Sequence, residues 1–294
     1  MAVTSGNNAT AVIALALQPK MQWTELRTSN ALSKQLEAAK EGVRTSLAAL
    51  DQHRKVNNAD GAGTAADRSA ISQMATARTL QKRAESLKQE ILAADENTWR
   101  NFTEVVSILM ATNALEKDTL RVLPLGLVAR SIQGQNELWL ALVLTHPAVI
   151  GLSGPEFAGL LGAILSAEVL RKGGMIDTAY PASQRVVDAV DQLEESRQHL
   201  SDLQSDASMG QWNDMLLVDL RLAGIVEAWA AGATWQQIMA DCAIDDGDLA
   251  RLLIRTVDLL KQISWQTELL PYLKDSCLEA LRGMERKPIA ESLI

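Results

Sequence analysis

The segment Asp245–Ile263 restricts the fold most, because it has a marked beginning and a regular apolar period. Asp245-Asp246-Gly247-Asp248 offers side-chain oxygens to the orphan amide protons of a first helical turn, and its negative charge suits the positive end of the helix dipole. A helix is therefore expected to begin near Asp246. Leu249, Leu252, Leu253, Thr256, Leu260 and Ile263 recur at three- and four-residue steps, which puts them on one stripe facing a core. Arg251, Arg255, Asp258 and Gln262 form a second, polar stripe on the same helix.

Two readings of the polar stripe follow from the residues. Arg251 and Arg255 lie four apart, so two like charges sit side by side at a cost of roughly 0.2–0.5 kcal/mol. An arginine ladder with Asp258 three residues beyond Arg255 can grip phosphates or bases while the acid holds the guanidinium in place. The plainer reading is a solvated helix face, which is common, and periodicity alone favours it.

Elsewhere the same periods predict a mainly α chain. Hydrophobic residues make up 47% of the 294, but aromatic residues only 4%, with Ala and Leu abundant, as in helices. Residues 1–25 open with a small polar run, Ala2 to Thr10, which fits a new start or a ragged domain edge; Val12–Leu17 then reads as a short strand or a helical turn. From Leu26 to His53, the positions Leu32, Leu36, Ala39, Val43, Leu47 and Leu50 alternate four- and three-residue steps, the mark of a narrow helical seam. Arg68–Ala94, with Ile71, Met74, Ala77, Ala84, Leu87 and Ile91, is its expected partner across the turn formers Asn57 to Thr64. Residues 26–96 are thus predicted to be an antiparallel helical hairpin. Residues 97–123 carry Trp99, Phe102, Val105, Val106, Leu109 and Met110 at helical spacing, then Arg121-Val122-Leu123 as a possible short strand. Residues 124–294 read as a bundle, with helices at about 126–132, 135–144, 154–172, 181–206, 212–231, 234–242, 246–262 and 269–285, separated by Gly, Pro and Asp breaks.

Composition excludes several functions. A net charge of −8 and a pI near 5.0 argue against a freely diffusing nucleic-acid binder, which presents a basic surface. Cys242 and Cys277 are too few and too isolated for a disulfide framework, and no basic region precedes Val12–Leu17, so a reducing, cytoplasmic location is expected. The longest apolar runs, Leu138–Leu144 and Phe157–Ser166, are too short for a bilayer of roughly 30 Å, and no membrane partner is expected. His53, His146 and His199 are scattered, and Gly151-Leu152-Ser153-Gly154 lacks nucleophile-elbow spacing. The acids Asp241, Asp245, Asp246 and Asp248 lack the ligand alternation and closing Glu of a calcium loop, so no metal site is expected and helix capping accounts for them. Trp139, Trp229 and Trp235 lie on apolar helices and are expected in the core, whereas Trp265 directly follows the capped helix and is expected to buttress its end.

Beyond periodicity, the run Val226–Ile263 resembles the end of the DSHCT region, the C-terminal helical module of superkiller-type DExH RNA helicases, above all the cyanobacterial and chloroplast members. Pro124-Leu125-Gly126, Gly134-Gln135-Asn136-Glu137-Leu138-Trp139-Leu140-Ala141, Tyr180-Pro181-Ala182-Ser183, Leu193-Glu194-Glu195-Ser196-Arg197 and Arg286-Lys287-Pro288-Ile289-Ala290-Glu291-Ser292-Leu293 are similar to that family in the same order. Coverage runs from about Trp99 to the end, and more weakly back to Trp23.

The resemblance implies a bundle that packs on two ATPase domains and closes a channel for single-stranded RNA, with a ratchet helix lining the channel. It places channel-facing polar residues at Arg255 and Asp258, with Arg251 one turn earlier, and makes these three the expected RNA contacts. It reads the hairpin as the remnant of a stalk bearing an arch, or else as a plain coiled-coil hairpin, and residues 97–123 as the returning part of a winged helix serving as scaffold. The sequence has no G-x-x-x-x-G-K-[ST] loop and no acidic strand end for magnesium, so ATP and magnesium are expected only on ATPase domains outside this chain. RNA affinity of the chain alone should be weak. Two functions remain open: an RNA-engaging accessory module of such a helicase, or a non-catalytic paralogue that uses hairpin and bundle to dock proteins.

Overall fold

The computed structural model describes residues 32–45, 47–48, 65–169, 176–207 and 209–293. The expected strand or turn at Val12–Leu17 and the expected hairpin turn at Asn57–Thr64 lie outside them. The described residues fall into two compact units, a smaller one ending at Thr103 and a larger one beginning at Glu104.

Residues 32–45 form helix α1, and α2 spans Ala65–Ala111, of which the part up to Thr103 belongs to the smaller unit. Leu36, Ala39 and Leu87 make a thin core, with Leu32, Ala84 and Ile91 packed on it, which are seam positions predicted for both helices. The pairing is antiparallel: Gly42 sits against Leu80, whereas Gln35 accepts a hydrogen bond from Arg83 at 3.5 Å. Leu47 and Met74, also predicted for the seam, are instead exposed. A second difference concerns the helix ends. The two helices read at 68–94 and from about 97 onward are the single helix α2, because Asp95-Glu96-Asn97 is polar but contains no Gly or Pro to break it. The expected short strand at Arg121–Leu123 is reduced to one antiparallel bridge, Leu115 to Val122.

In the larger unit the elements are α3 (Pro124–Ser131), α4 (Glu137–Thr145), α5 (Gly154–Ile164), α6 (Ser166–Val169), α7 (Gln184–Asp206), α8 (Leu220–Ala230), α9 (Trp235–Asp241), α10 (Asp246–Trp265) and α11 (Lys274–Met284). The strands β1 (Asp177–Thr178) and β2 (Cys242–Ala243) pair antiparallel, Asp177 with Ala243 and Thr178 with Cys242. The fold is mainly α, as the periodicities require.

Helix α5 is the centre of the bundle. Phe157, Ala158, Leu160, Leu161 and Ala163 are all fully buried, so the helix is apolar on every side rather than amphipathic. It packs against α8, α11, α7 and α10. Its start is fixed by a capping box in which Ser153 and Glu156 satisfy each other's end of the first turn, with Pro155 inside it. The helix expected at 212–231 is divided: Gly210–Leu216 is a 3₁₀ turn, Leu217 is extended, and Asp219 accepts from the Arg221 amide to start α8 anew. Likewise Leu165 separates α5 from α6, and Pro271–Leu273 is a 3₁₀ turn before α11.

The quoted C-terminal run has a structural part in this packing. Arg286 stacks over the Trp229 ring, 4.0 Å from its centroid, and donates to the carbonyls of Trp229 and Ala233, the latter at 3.1 Å. A cation therefore satisfies the carbonyl-rich end of α8. The Trp229 indole N–H donates to the Met284 carbonyl at 3.1 Å, tying α8 to α11, and Trp235 meets Trp229 edge-on at 6.2 Å. Trp139 and Trp229 are buried, as expected of core tryptophans, whereas Trp235, also expected in the core, is only half-buried at the start of α9.

Candidate nucleic-acid interface

Helix α10 positions the predicted residues, and its start follows the sequence reading: Asp245 accepts from the amides of Gly247 and Asp248 at 2.9 and 3.2 Å. The apolar stripe Leu249, Leu252, Leu253, Leu260 and Ile263 is buried, together with Thr256, whose hydroxyl donates to the Leu252 carbonyl at 2.8 Å. The helix extends to Trp265, three residues beyond the expected end. Two further acids of the cluster are engaged within the fold: Asp248 pairs with Arg251, and Asp241 accepts from the Tyr180 hydroxyl at 2.6 Å, which pushes that phenol up to about 12.

The polar stripe divides into an inner and an outer part. Arg255 is only 20% exposed. Its Nε donates to Glu168 of α6 at 2.9 Å, Nη1 to Asp258 at 2.5 Å, and Nη2 to the Gln133 carbonyl. Gln262 belongs to the same network: its Oε1 accepts from the Gln133 amide at 2.7 Å and its Nε2 donates to Asp258 at 3.0 Å. Glu168 in turn accepts from the Gln135 amide at 2.9 Å. The loop Gln133–Asn136 is thus latched onto α10 and α6 by two of its amides, those of Gln133 and Gln135, and by the Gln133 carbonyl. Gly134 lies close against this network: a Cβ there would stand 2.6 Å from Leu140 Cδ1 and 3.2 Å from Glu168 Oε1, so a larger residue would push these side-chain ends aside.

Directly behind the latch, Glu137 opens α4 with its Oε1 accepting from Gly134 at 3.3 Å, while its buried Oε2 has no hydrogen-bond partner among the described residues. Burial pushes the Glu137 carboxyl above its usual range, and the neighbouring Glu168 charge adds to this. Asn136 caps α4 by accepting from the Trp139 amide at 3.1 Å. The quoted run Gly134–Ala141 therefore combines a latched loop, a cap and a buried helix.

Arg251 and Asp258 are the outer part, with side chains 45% and 52% exposed. Arg251 is steadied by the nearly buried Asp248 and still faces solvent. The structure brings Arg255 and Asp258 into direct contact, whereas Arg251 pairs separately with Asp248. Trp265 continues the outer line. It is 74% exposed and buttresses nothing, contrary to the sequence expectation, because it lies seven residues beyond Asp258 and fourteen beyond Arg251, near whole numbers of helical turns. That spacing was a usable signal. Glu168 and Gln133 were missed for a different reason: they reach Arg255 from 87 and 122 residues away, which no local period reveals.

Comparison with known proteins agrees with this region. Residues 119–292 match the DSHCT (NUC185) domain family. Over 218 residues, 73% of the chain, the sequence is 35% identical to the chloroplastic DExH-box ATP-dependent RNA helicase DExH15 of Arabidopsis thaliana, of which the match covers 18%. Among the described residues, no helix is long and apolar enough to cross a membrane.

Proposed function

The chain belongs to the DSHCT domain family of DExH-box helicases, and on that premise we propose that it is the RNA-engaging accessory module of an ATP-dependent superkiller-type helicase. In this reading, α10 is the ratchet helix and forms one wall of a path for single-stranded RNA. Catalysis comes from ATPase domains that supply ATP and magnesium binding, and the bundle docks on them. The hairpin of α1 and α2 serves as a stalk.

One observation carries the reading: within the family-matched region, the capped helix α10 keeps Arg251 and Asp258 solvent-facing while Arg255 holds the adjoining loop in place. A guanidinium and a carboxylate on one rigid face can meet phosphates and base edges without demanding a sequence, which suits a translocating strand. Arg255 keeps N–H donors beyond the three engaged within the fold, so it can hold the loop and still reach a phosphate. The acidic total charge is consistent with a module whose phosphate-binding charge resides mainly on its partner domains.

Photocrosslinking tests this. A single-stranded RNA containing 4-thiouridine, presented to the full chain together with DExH ATPase domains at low salt, should label peptides of Asp246–Trp265. Labelling confined to other segments would overturn the assignment. The competing function, a paralogue that docks proteins through the hairpin, draws on the exposed Met74, Leu92 and Trp99 of α2. It predicts a partner captured through residues 26–96 and no RNA crosslink on α10.

A further inference from the structure

The face of α10 that carries Arg251 and Asp258 ends at a pocket of about 280 Å³. Leu127 and Leu269 supply apolar wall, Trp265 forms one side, and Arg130, Ser131 and Glu268 supply polar atoms. Arg130, at the end of α3, has no hydrogen-bond or ion-pair partner among the described residues, and the Trp265 ring is the most exposed large apolar side chain of those described. Neither feature is explained by packing. An indole left in water at the end of a rigid helix costs apolar exposure that the fold does nothing to relieve.

We propose that this pocket holds one nucleotide of single-stranded RNA, its base stacked on Trp265 and its phosphate on Arg130. The volume, just below the roughly 300–1,000 Å³ of drug-sized ligand sites, accommodates a single base. The charges decide its orientation. Arg130 is the one positive side chain among those lining the pocket and Glu268 the one negative, so phosphate is directed toward Arg130 and away from Glu268. Glu268 accepts from N–H donors on the base edge. Stacking accepts any base, as a sequence-tolerant path requires. Position favours RNA over a peptide, because Arg251, Asp258 and Trp265 run along one line of about 21 Å at 1.5 Å per residue. The inference rests on the proposed RNA path along α10 and extends it past the helix end.

The test is a fluorescence and anisotropy titration of the full chain with a labelled oligouridylate at low salt, comparing wild type with Trp265→Ala and Arg130→Ala. Both side chains are exposed, so both variants should keep the wild-type melting temperature within a few degrees. Trp265→Ala is expected to weaken binding about ten-fold and to remove part of the fluorescence quenching, with Trp265→Phe recovering some affinity. Arg130→Ala is expected to weaken binding several-fold and to flatten the salt slope by about 0.7. RNA binding unchanged in both variants, with 4-thiouridine crosslinks on α10 intact, overturns the pocket and leaves the proposed function standing. A wild-type chain that neither binds nor crosslinks RNA overturns both. Loss of a protein partner in Trp265→Ala with RNA binding unaffected assigns the pocket to protein instead.

Discussion

Arg255 shows how a residue chosen from a helical stripe acquires a different meaning from its neighbours. Its guanidinium joins Glu168, Asp258 and the Gln133 carbonyl, so it is at once a candidate RNA contact and a fastener of the Gln133–Asn136 loop. Glu168→Gln separates the two roles: it removes the charge from the inner pair and should lower stability by about 1–3 kcal/mol in denaturant unfolding, while leaving the solvent-facing Arg251 in place. Arg251→Ala takes the partner from the nearly buried Asp248 and should cost about 1 kcal/mol of stability while weakening RNA binding several-fold. Glu137 gives a pH signature. Its carboxyl is raised in the folded chain above the ordinary value of 4.5, so the folded state holds the proton more tightly than the unfolded one. Its contribution to stability is therefore fully present below pH 4.5 and is lost as pH rises through the folded value. Glu137→Gln removes that dependence, and the stability of the variant relative to wild type should increase with pH across that window. Cys277 is fully buried and its thiol is pushed up to about 12, so alkylating reagents at pH 8 should leave it unmodified until the bundle unfolds.

Helix α10 was the most legible element, because cap, apolar stripe and polar stripe all reside in one continuous segment of about twenty residues. The hairpin seam was legible at Leu36, Ala39, Ala84 and Leu87 for the same reason. What sequence could not supply were features decided across the chain. Asp95-Glu96-Asn97 looked like a break because it is polar, yet polar residues without Gly or Pro continue a helix. The 217–219 interruption before α8 was hidden because Leu217 is apolar and fits a helical period, although it is exposed and extended. Gly224 is legible only in three dimensions: a Cβ there would stand 2.0 Å from the Tyr180 carbonyl oxygen, so α8 lies against the backbone of the Tyr180-Pro181 run. Gly224→Ala should destabilise the bundle by about 1–3 kcal/mol, read as a lowered denaturation midpoint with little change in slope. The candidate site shows the same division. The exposed residues Arg251 and Asp258 were found by period, while the partners that fix Arg255 and the pocket wall from α3 are distant in sequence.

For the whole molecule, the acidic balance and the polar stripe are reconciled if the chain supplies a narrow wall rather than a basic surface. Few phosphate contacts then come from this chain, and the logarithm of its single-strand affinity should fall with the logarithm of salt at a slope of only about −1.4 to −2, the value for two or three contacts. Packing of the bundle around the fully apolar α5 makes α10 a rigid support, since its buried stripe is held by the same core. The central claim, that the outer stripe of α10 guides RNA, is tested most directly by strand separation with the helicase assembled from this chain and DExH ATPase domains. Comparing wild type with the double variant Arg251→Ala and Asp258→Ala, which also gives up the Asp248 and Arg255 pairings and so melts a few degrees lower, the account predicts a drop in unwinding rate of about ten-fold at a temperature where both are fully folded. An unwinding rate equal to wild type in a correctly folded double variant would contradict it.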